Sequence, residues 1–243
     1  NNADSGMNAT GLMAGAGPNV ISNNTIKNNG RFGMEIKLPN GTGLTSGDGS
    51  IVVEGNTVEL SVYSAEARDR AGIAAFRRAY LTGNNNVDIP RGVVIRNNSV
   101  TGYQQTSTSD GFGIVVEGLN MFVLTNTLTG NDVGVQVQGG YDPASYVPNA
   151  PGDSNQGNFA DVFFGRGNSP VGCALVSGNT FSANGLDTRD AGTGHAGRVF
   201  NLNTGEWFCT IQSAIDDSDT VNGHTISVTA GIYNETVNVN KTL

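Results

Sequence analysis

A short phrase that recurs through the chain is the strongest constraint on its fold. It consists of two apolar residues, two variable residues, Asn, Thr or Ser, and a final apolar residue. Full copies are VISNNTI (20–26), VVEGNTV (52–58), VIRNNSV (94–100) and LVSGNTF (175–181), with a shortened copy in VLTNTL (123–128). A motif that recurs along a chain indicates a repeat architecture, in which each unit packs on its neighbours.

A second phrase, Gly followed by apolar, variable and apolar residues, alternates with the first. Its copies begin at Gly33, Gly72, Gly92, Gly113 and Gly134. Each copy of either phrase has the alternation of a short strand bounded by turn residues. Two-residue Asn-Gly loops are almost absent between these strands, which disfavours a series of hairpins. The economical alternative is a coil, in which each turn of chain lies parallel on the preceding turn.

The asparagine of the first phrase is predicted to lie at a recurring corner of this coil. Asn tolerates a left-handed bend, and stacked side-chain amides can form a hydrogen-bonded ladder. We therefore predict scaffold roles rather than catalytic roles for these residues. The predicted corner residues are Asn24, Asn56, Asn98, Asn126 and Asn179.

Composition narrows the location and the partners of the chain. Charged residues make up only 14% of the 243 residues, and the 35 glycines are in clear excess. The net charge of −8 disfavours nucleic acid, because phosphate binding needs clustered Lys and Arg. Since no apolar run has the length of a membrane span, we expect no membrane insertion. We predict an extracellular or cell-surface protein with a Cys173–Cys209 disulfide, two buried free thiols being the alternative.

The repeats VISNNTIKNNG, VIRNNSVTG and LVSGNTFSANG resemble those of right-handed parallel β-helix proteins of the pectin-lyase-like superfamily. The closing sequence, which starts at TIQSAIDD and ends at NVNKTL, is similar to the opening helix and first coils of many secreted members. The resemblance covers nearly the whole chain. It implies an all-β, right-handed parallel β-helix with one short amphipathic helix near residues 210–217. It implies no particular activity, since these repeats occur in lyases, hydrolases, esterases, adhesins and structural surface proteins.

The predicted organisation has two parts. Residues 1–198 are expected to form β-helix coils, with insertions at 61–90 and 141–170. Residues 199–243 are expected to form an opening segment, consisting of a helix and strands at 225–228 and 236–239, that continues into the next unit.

We expect the units to associate head to tail. Residues 1–19 contain no recognisable cap, and the closing helix and strands are not followed by the coils that they should precede. The expected partners are therefore copies of the chain, or adjacent repeats of one tandem chain, in a contact that propagates as a fibre. The expected junction residues are Ile211, Ile215, Ile226, Val228, Val237 and Val239.

No catalytic constellation of the β-helix enzymes can be matched residue by residue. The strand faces that would present such groups carry Glu35, Glu54, Arg96, Glu117 and Gln136, singly and without a shared spacing. The acidic sequence around Asp216, Asp217 and Asp219 lacks the alternating order of a calcium loop, so we predict no metal, no cofactor and no enzyme activity.

The sequence thus predicts an extracellular structural protein that forms a filament or a long surface stalk. The alternative is a carbohydrate-active or carbohydrate-binding β-helix, with carbohydrate as its partner. In that case, the aromatic residues of the insertion at 141–170 would contact the sugar.

Overall fold

The structure is a computed structural model. It describes residues 5–10, 12, 18–41, 51–62, 69–76, 90–105, 111–139, 172–191, 194–196, 199–217, 219–230, 233 and 235–243. This part of the chain is mostly β-strand with one short helix, so the protein is all-β in class. The predicted insertion at 141–170 lies outside the described residues.

Most strands belong to three ladders in which every pairing is parallel. Ladder A contains β1 (Ser5–Thr10), β4 (Phe32–Lys37), β7 (Arg70–Phe76), the first half of β10 (Gly111–Leu124), β12 (Val133–Gln138) and β15 (Leu186–Ala191). Ladder B contains β2 (Asn19–Ser22), β5 (Ile51–Glu54), β8 (Arg91–Arg96), the second half of β10, β13 (Gly172–Ser177) and β16 (Gly194–Ala196). Ladder C contains β3 (Thr25–Lys27), β6 (Thr57–Glu59), β9 (Ser99–Thr101), β11 (Thr127–Thr129) and β14 (Thr180–Ser182).

Strand β10 connects ladders A and B into one eleven-stranded parallel sheet, while ladder C is a separate five-stranded sheet. The first half of β10 pairs with β7 and β12, and its second half pairs with β8 and β13. Along the chain, strands of ladders A, B and C follow one another in that order. The predicted insertion at 61–90 needs a correction, because it contains β7, a strand of ladder A.

The core lies where the inward side chains of the three ladders stack in register. In ladder A, Met34, Ile73, Ile114 and Val135 are paired in register, and all four are fully buried. Branched and long apolar side chains at matching positions fill such a core without gaps, and their burial is the main stabilising contribution. The corresponding residues of ladder C are Val58, Val100 and Leu128.

Residues 199–243, called the C-terminal unit below, depart from the parallel pattern. The strands β17 (Val199–Asn201), β18 (Trp207–Phe208) and β19 (Ile226–Val228) form a separate antiparallel sheet. Helix α1 (Ile211–Asp216) lies within the predicted range and begins after Thr210, whose hydroxyl accepts a hydrogen bond from the Ser213 N–H. The expectation of a second strand at 236–239 was wrong, since these residues belong to no strand.

Candidate functional site

A stack of asparagine side chains runs across all five strands of ladder C. The backbone N–H and the Nδ2 of Asn24 both donate to Oδ1 of Asn56, each at 2.9 Å. The same pair of bonds recurs from Asn56 to Asn98, from Asn98 to Asn126, and from Asn126 to Asn179. All five predicted corner residues therefore take part in one continuous hydrogen-bonded stack.

The stack has a direction, because every member donates to the next member along the chain. Its interior residues Asn56, Asn98 and Asn126 are at most 2% exposed, and the Nδ2 of each also donates to backbone carbonyls. At the first strand, no described group donates to Oδ1 of Asn24. At the last strand, the backbone N–H of Asn179 donates to no described group. The two ends of the stack are therefore chemically different, one being an acceptor and the other a donor.

The left-handed bend lies one residue earlier than predicted. The residues with positive φ at these corners are Asn23, Gly55, Asn97, Thr125 and Gly178, with φ between 54° and 66°. Each of them directly precedes a stacked asparagine. The stacked residues are thus selected by their amide hydrogen bonds rather than by tolerance of a left-handed backbone.

A second stack at the other end of ladder C was missed in the sequence. Asn131 donates to Oδ1 of Asn184 through its backbone N–H and its Nδ2, both at 3.0 Å, and the backbone N–H of Tyr103 donates to Oδ1 of Asn131. The signal was readable, since Asn131 and Asn184 each follow a corner asparagine by five residues, in NTLTGN and NTFSAN.

The polar residues expected on the strand faces are not isolated, which corrects the prediction. Glu35 is fully buried and accepts hydrogen bonds from Ser5 and Asn8, with the Lys37 ammonium 3.4 Å from its carboxylate. Glu54 and Arg96 are register partners on β5 and β8, and their side chains form an ion pair at 2.7 Å.

A second buried polar chain lies on ladder A. Gln138 donates to the Glu117 carboxylate at 3.0 Å, Gln136 donates to Gln138, and Arg189 donates to Gln136. Glu117, Gln136 and Gln138 are all fully buried. Polar groups withdrawn from solvent and bonded to each other stabilise packing and are not presented to a substrate.

A disulfide and an aromatic contact join the C-terminal unit to ladder B. Cys173 of β13 and Cys209 form a disulfide with a Cα–Cα distance of 5.8 Å. The Trp207 ring meets the Phe122 ring edge to face, with 5.3 Å between their centroids. Trp207 is also the only tryptophan of the chain, so tryptophan fluorescence reports on the surroundings of this ring.

The expected junction residues all lie in the C-terminal unit. Two of them, Ile211 and Ile215, are on α1, and residues 235–241 contact both ends of this helix. Glu235 accepts hydrogen bonds from the backbone N–H groups of Ile211 and Gln212 at the start of α1. Lys241 donates to the carbonyls of Ile215 and Asp217 at its end. Both charges complement the helix dipole, so residues 235–241 clamp the helix. Ile215 is buried, while Val228, Val237 and Val239 are exposed and Ile211 and Ile226 are intermediate.

Three carboxylates meet in the C-terminal unit. The oxygens of Glu206, Asp217 and Asp219 lie within 4.8 Å of one another and could act as hard-cation ligands. The sequence analysis singled out Asp217 and Asp219 but not Glu206.

None of the helices in the described ranges is long and apolar enough to cross a membrane.

Comparisons with known proteins returned no match among protein-family models, curated proteins or solved structures.

Proposed function

We propose that this protein is an extracellular structural protein, a right-handed parallel β-helix whose units associate head to tail into a filament or a long surface stalk. The observation that best supports this proposal is that the first strand of each ladder exposes inward side chains, whereas their register partners on the next strand are buried. Met7, Ile21 and Ile26 on β1, β2 and β3 are only partly buried. Their register partners are Met34, Val53 and Val58, each 0% exposed.

The recurring order of the ladders supports the β-helix. A chain that visits ladders A, B and C in turn, and pairs each strand in parallel with the next member of its ladder, is most simply a coil. Crossovers between parallel strands are right-handed in almost all known cases, and this rule supports the proposed hand.

The direction of the asparagine stack supports a head-to-tail contact rather than a symmetric one. Asn24 offers an acceptor at one end of ladder C and Asn179 offers a donor at the other. Surfaces that differ in this way cannot be self-complementary, and a heterologous contact that does not close extends into a filament.

In the proposed joint, β1 and β2 of one unit pair with β15 and β16 of the preceding unit. This arrangement leaves room for one strand of ladder C between β14 and the next β3. Each described strand of ladder C consists of Ser or Thr, a large apolar residue and a third residue. The sequence TVN at 236–238 has the same order. We place this segment in the open position, where Val237, now 37% exposed, becomes buried.

The extracellular location is supported by the disulfide, since such bonds persist in oxidising compartments. The units are separate chains or repeats of one tandem chain. The mass of the protein isolated from its natural source, measured after denaturation, distinguishes these versions. A mass near 25.1 kDa identifies separate chains, and a much larger one identifies a tandem chain.

Electron microscopy and sedimentation of the purified chain test the assembly. We expect filaments for the unmodified chain and monomers for Ile26→Lys, because the charge sits on the exposed end of the core. The matched control is Thr25→Lys, which puts the same charge on the solvent face of the same strand and should still assemble. A second variant, Asp190→Val, should strengthen association, because Asp190 lies in register with the core residue Val137 and an inward charge at an edge opposes pairing.

Two results would contradict the proposal. One is an unmodified chain that remains monomeric at high concentration. The other is an Ile26→Lys variant that is folded by circular dichroism and still forms filaments.

A further inference from the structure

The outward face of ladder C carries two straight columns of side chains. The first column is Thr25, Thr57, Ser99, Thr127 and Thr180, paired in register from β3 to β14. The second column is Lys27, Glu59, Thr101, Thr129 and Ser182. Eight of these ten side chains end in a hydroxyl, so the face is an array of Ser and Thr on a regular grid.

The spacing of the array is set by the backbone. Adjacent strands lie about 4.8 Å apart, and residues two positions apart along a strand lie about 6.6 Å apart. None of the four pairings in ladder C contains a register shift, whereas the pairing of β10 with β13 in ladder B does. The stack from Asn24 to Asn179 borders the array along its whole length, and Asn131 and Asn184 border its other side at β11 and β14. Side-chain ladders of this kind stabilise flat sheets.

The eight hydroxyls are available to a ligand. Within the described ranges, none of them forms a hydrogen bond with another protein group. Thr25, Thr57, Thr127, Thr180 and Ser182 are exposed, and the other three hydroxyl residues are intermediate. The two charged members neutralise each other, because Lys27 and Glu59 form an ion pair at 2.8 Å, and the ammonium holds the pKa of the Glu59 carboxyl below its usual value.

The chemistry of this face selects against most ligand classes. Small soluble ligands bind in concave sites with apolar walls, and an open sheet face provides neither. The ten outward side chains include no aromatic ring on which a sugar could stack. What remains is a ligand that is itself flat, periodic and composed of groups that both donate and accept hydrogen bonds.

We propose that the outward face of ladder C binds ice. A Ser or Thr hydroxyl donates one hydrogen bond and accepts two, so it can replace a water molecule in a hydrogen-bonded lattice. The threonine methyl groups restrict the orientation of the water molecules beside them, so these waters are also ordered along the column. A single hydroxyl gains little by exchanging one water for another, but a rigid array that engages many lattice waters at once gains multivalent affinity.

The test is thermal hysteresis, the gap between melting and freezing temperatures of a single ice crystal in a solution of the full chain. We expect a gap that increases with protein concentration, together with faceted crystal growth. Thr127→Lys places a bulky charge inside the array, on the fourth of its five strands and between the hydroxyl residues Ser99 and Thr180, and should abolish the gap. Ser177→Lys is the matched control, because Ser177 is also exposed but lies on ladder B, and this variant should retain the gap.

Circular dichroism and urea unfolding are measured on both variants, so that loss of the gap is not confused with loss of the fold. Absence of a gap for the folded unmodified chain would overturn the proposal, as would an unchanged gap for Thr127→Lys. Binding to crystalline cellulose or chitin without any effect on ice would assign the face to a polysaccharide surface instead. Each readout is independent of filament formation, because Ile26→Lys should abolish assembly without altering any side chain of the array.

Discussion

The ladder region (residues 5–196) and the C-terminal unit are stabilised in different ways. In the ladder region, the same contacts recur in strand after strand, as in the stack from Asn24 to Asn179. In the C-terminal unit, each contact occurs once, as in the disulfide and the clamp of Glu235 and Lys241 on α1. Repetition distributes stability over many equivalent positions, whereas a set of single contacts concentrates it in a few residues.

The largest effect should come from breaking the stack at its centre. Asn98 is 2% exposed, and its side chain bonds to the Val53 and Arg96 carbonyls as well as to both neighbouring stack members. Asn98→Ala leaves two or more buried groups without partners, which should lower the free energy of unfolding by about 4 kcal/mol. Urea unfolding followed by circular dichroism measures this loss.

The end of the stack provides the control for this variant. Asn24 is less buried and makes bonds on one side only, so Asn24→Ala should cost much less than Asn98→Ala. Equal losses for the two variants would show that the stack does not act as a continuous element.

The next largest effect should separate the two regions. Cys173→Ser removes a link between residues 36 apart in sequence, and the chain-entropy account of disulfides gives a loss of about 3.8 kcal/mol. Because the bond connects the C-terminal unit to ladder B, the loss should fall on the C-terminal unit. Trp207 fluorescence should change at lower urea than the circular dichroism of the ladders.

The unmodified chain under oxidising conditions is the reference, and there both signals should report a single transition. If Cys173→Ser lowered the two midpoints equally, the regions would unfold as one cooperative unit and the contrast between them would be wrong.

The same contrast explains what could be predicted from the sequence. A repeated phrase has a periodic signal, so the five stacked asparagines and the inward Val and Ile residues could be located without a structure. Asn131 and Asn184 carry the same signal at a second position, but it was overlooked. The left-handed backbone was predicted at the stacked asparagines themselves, and this was wrong, because it lies at the residue before each of them.

Single contacts leave no periodic signal, and the sequence was least informative there. The tail residues Val237 and Val239 alternate as in a strand, yet Glu235 and Lys241 hold this segment along α1. Glu35 and Glu117 lie in strands whose outer faces were expected to meet solvent, but both are fully buried. Burial of this kind depends on contacts distant in sequence, which a local pattern does not contain.

A smaller effect should come from one end of the clamp on α1. The Glu235 carboxylate accepts two backbone N–H groups at the start of the helix, each at 2.9 Å. Glu235→Gln keeps the shape but removes the charge, which should destabilise the C-terminal unit by about 1 kcal/mol. Trp207 fluorescence during urea unfolding measures the change.

The matched control is Glu54→Gln in ladder B, which removes a carboxylate that does not contact α1. That variant should leave the Trp207 transition unchanged. A Glu235→Gln transition that coincides with that of the unmodified chain would show that the tail does not stabilise the helix.

The smallest effect at neutral pH should come from Tyr103, which stands where the second stack would otherwise have an asparagine. Tyr103 occupies a place in the second stack, and its ring fits because Gly33 and Gly72 lack side chains there. Its hydroxyl is buried and has no hydrogen-bond partner among the described residues, so Tyr103→Phe should stabilise the protein slightly, by about 1 kcal/mol or less. Burial raises the pKa of Tyr103 well above its usual value of about 10, against a smaller lowering contribution from the positive charge of Arg70.

The sign of the pH dependence follows from that shift. Below the usual tyrosine pKa, both folded and unfolded chains keep the Tyr103 proton, and its contribution to stability is fully present. As the pH rises above about 10, the unfolded chain loses this proton while the folded chain retains it, so the free energy of unfolding falls. Tyr103→Phe should reduce the slope of stability against pH in that range, measured by urea unfolding between neutral and strongly alkaline pH. Tyr233→Phe is the control because its hydroxyl already donates to the Thr229 carbonyl, and an equal change of slope in both variants would contradict a special role for burial at Tyr103.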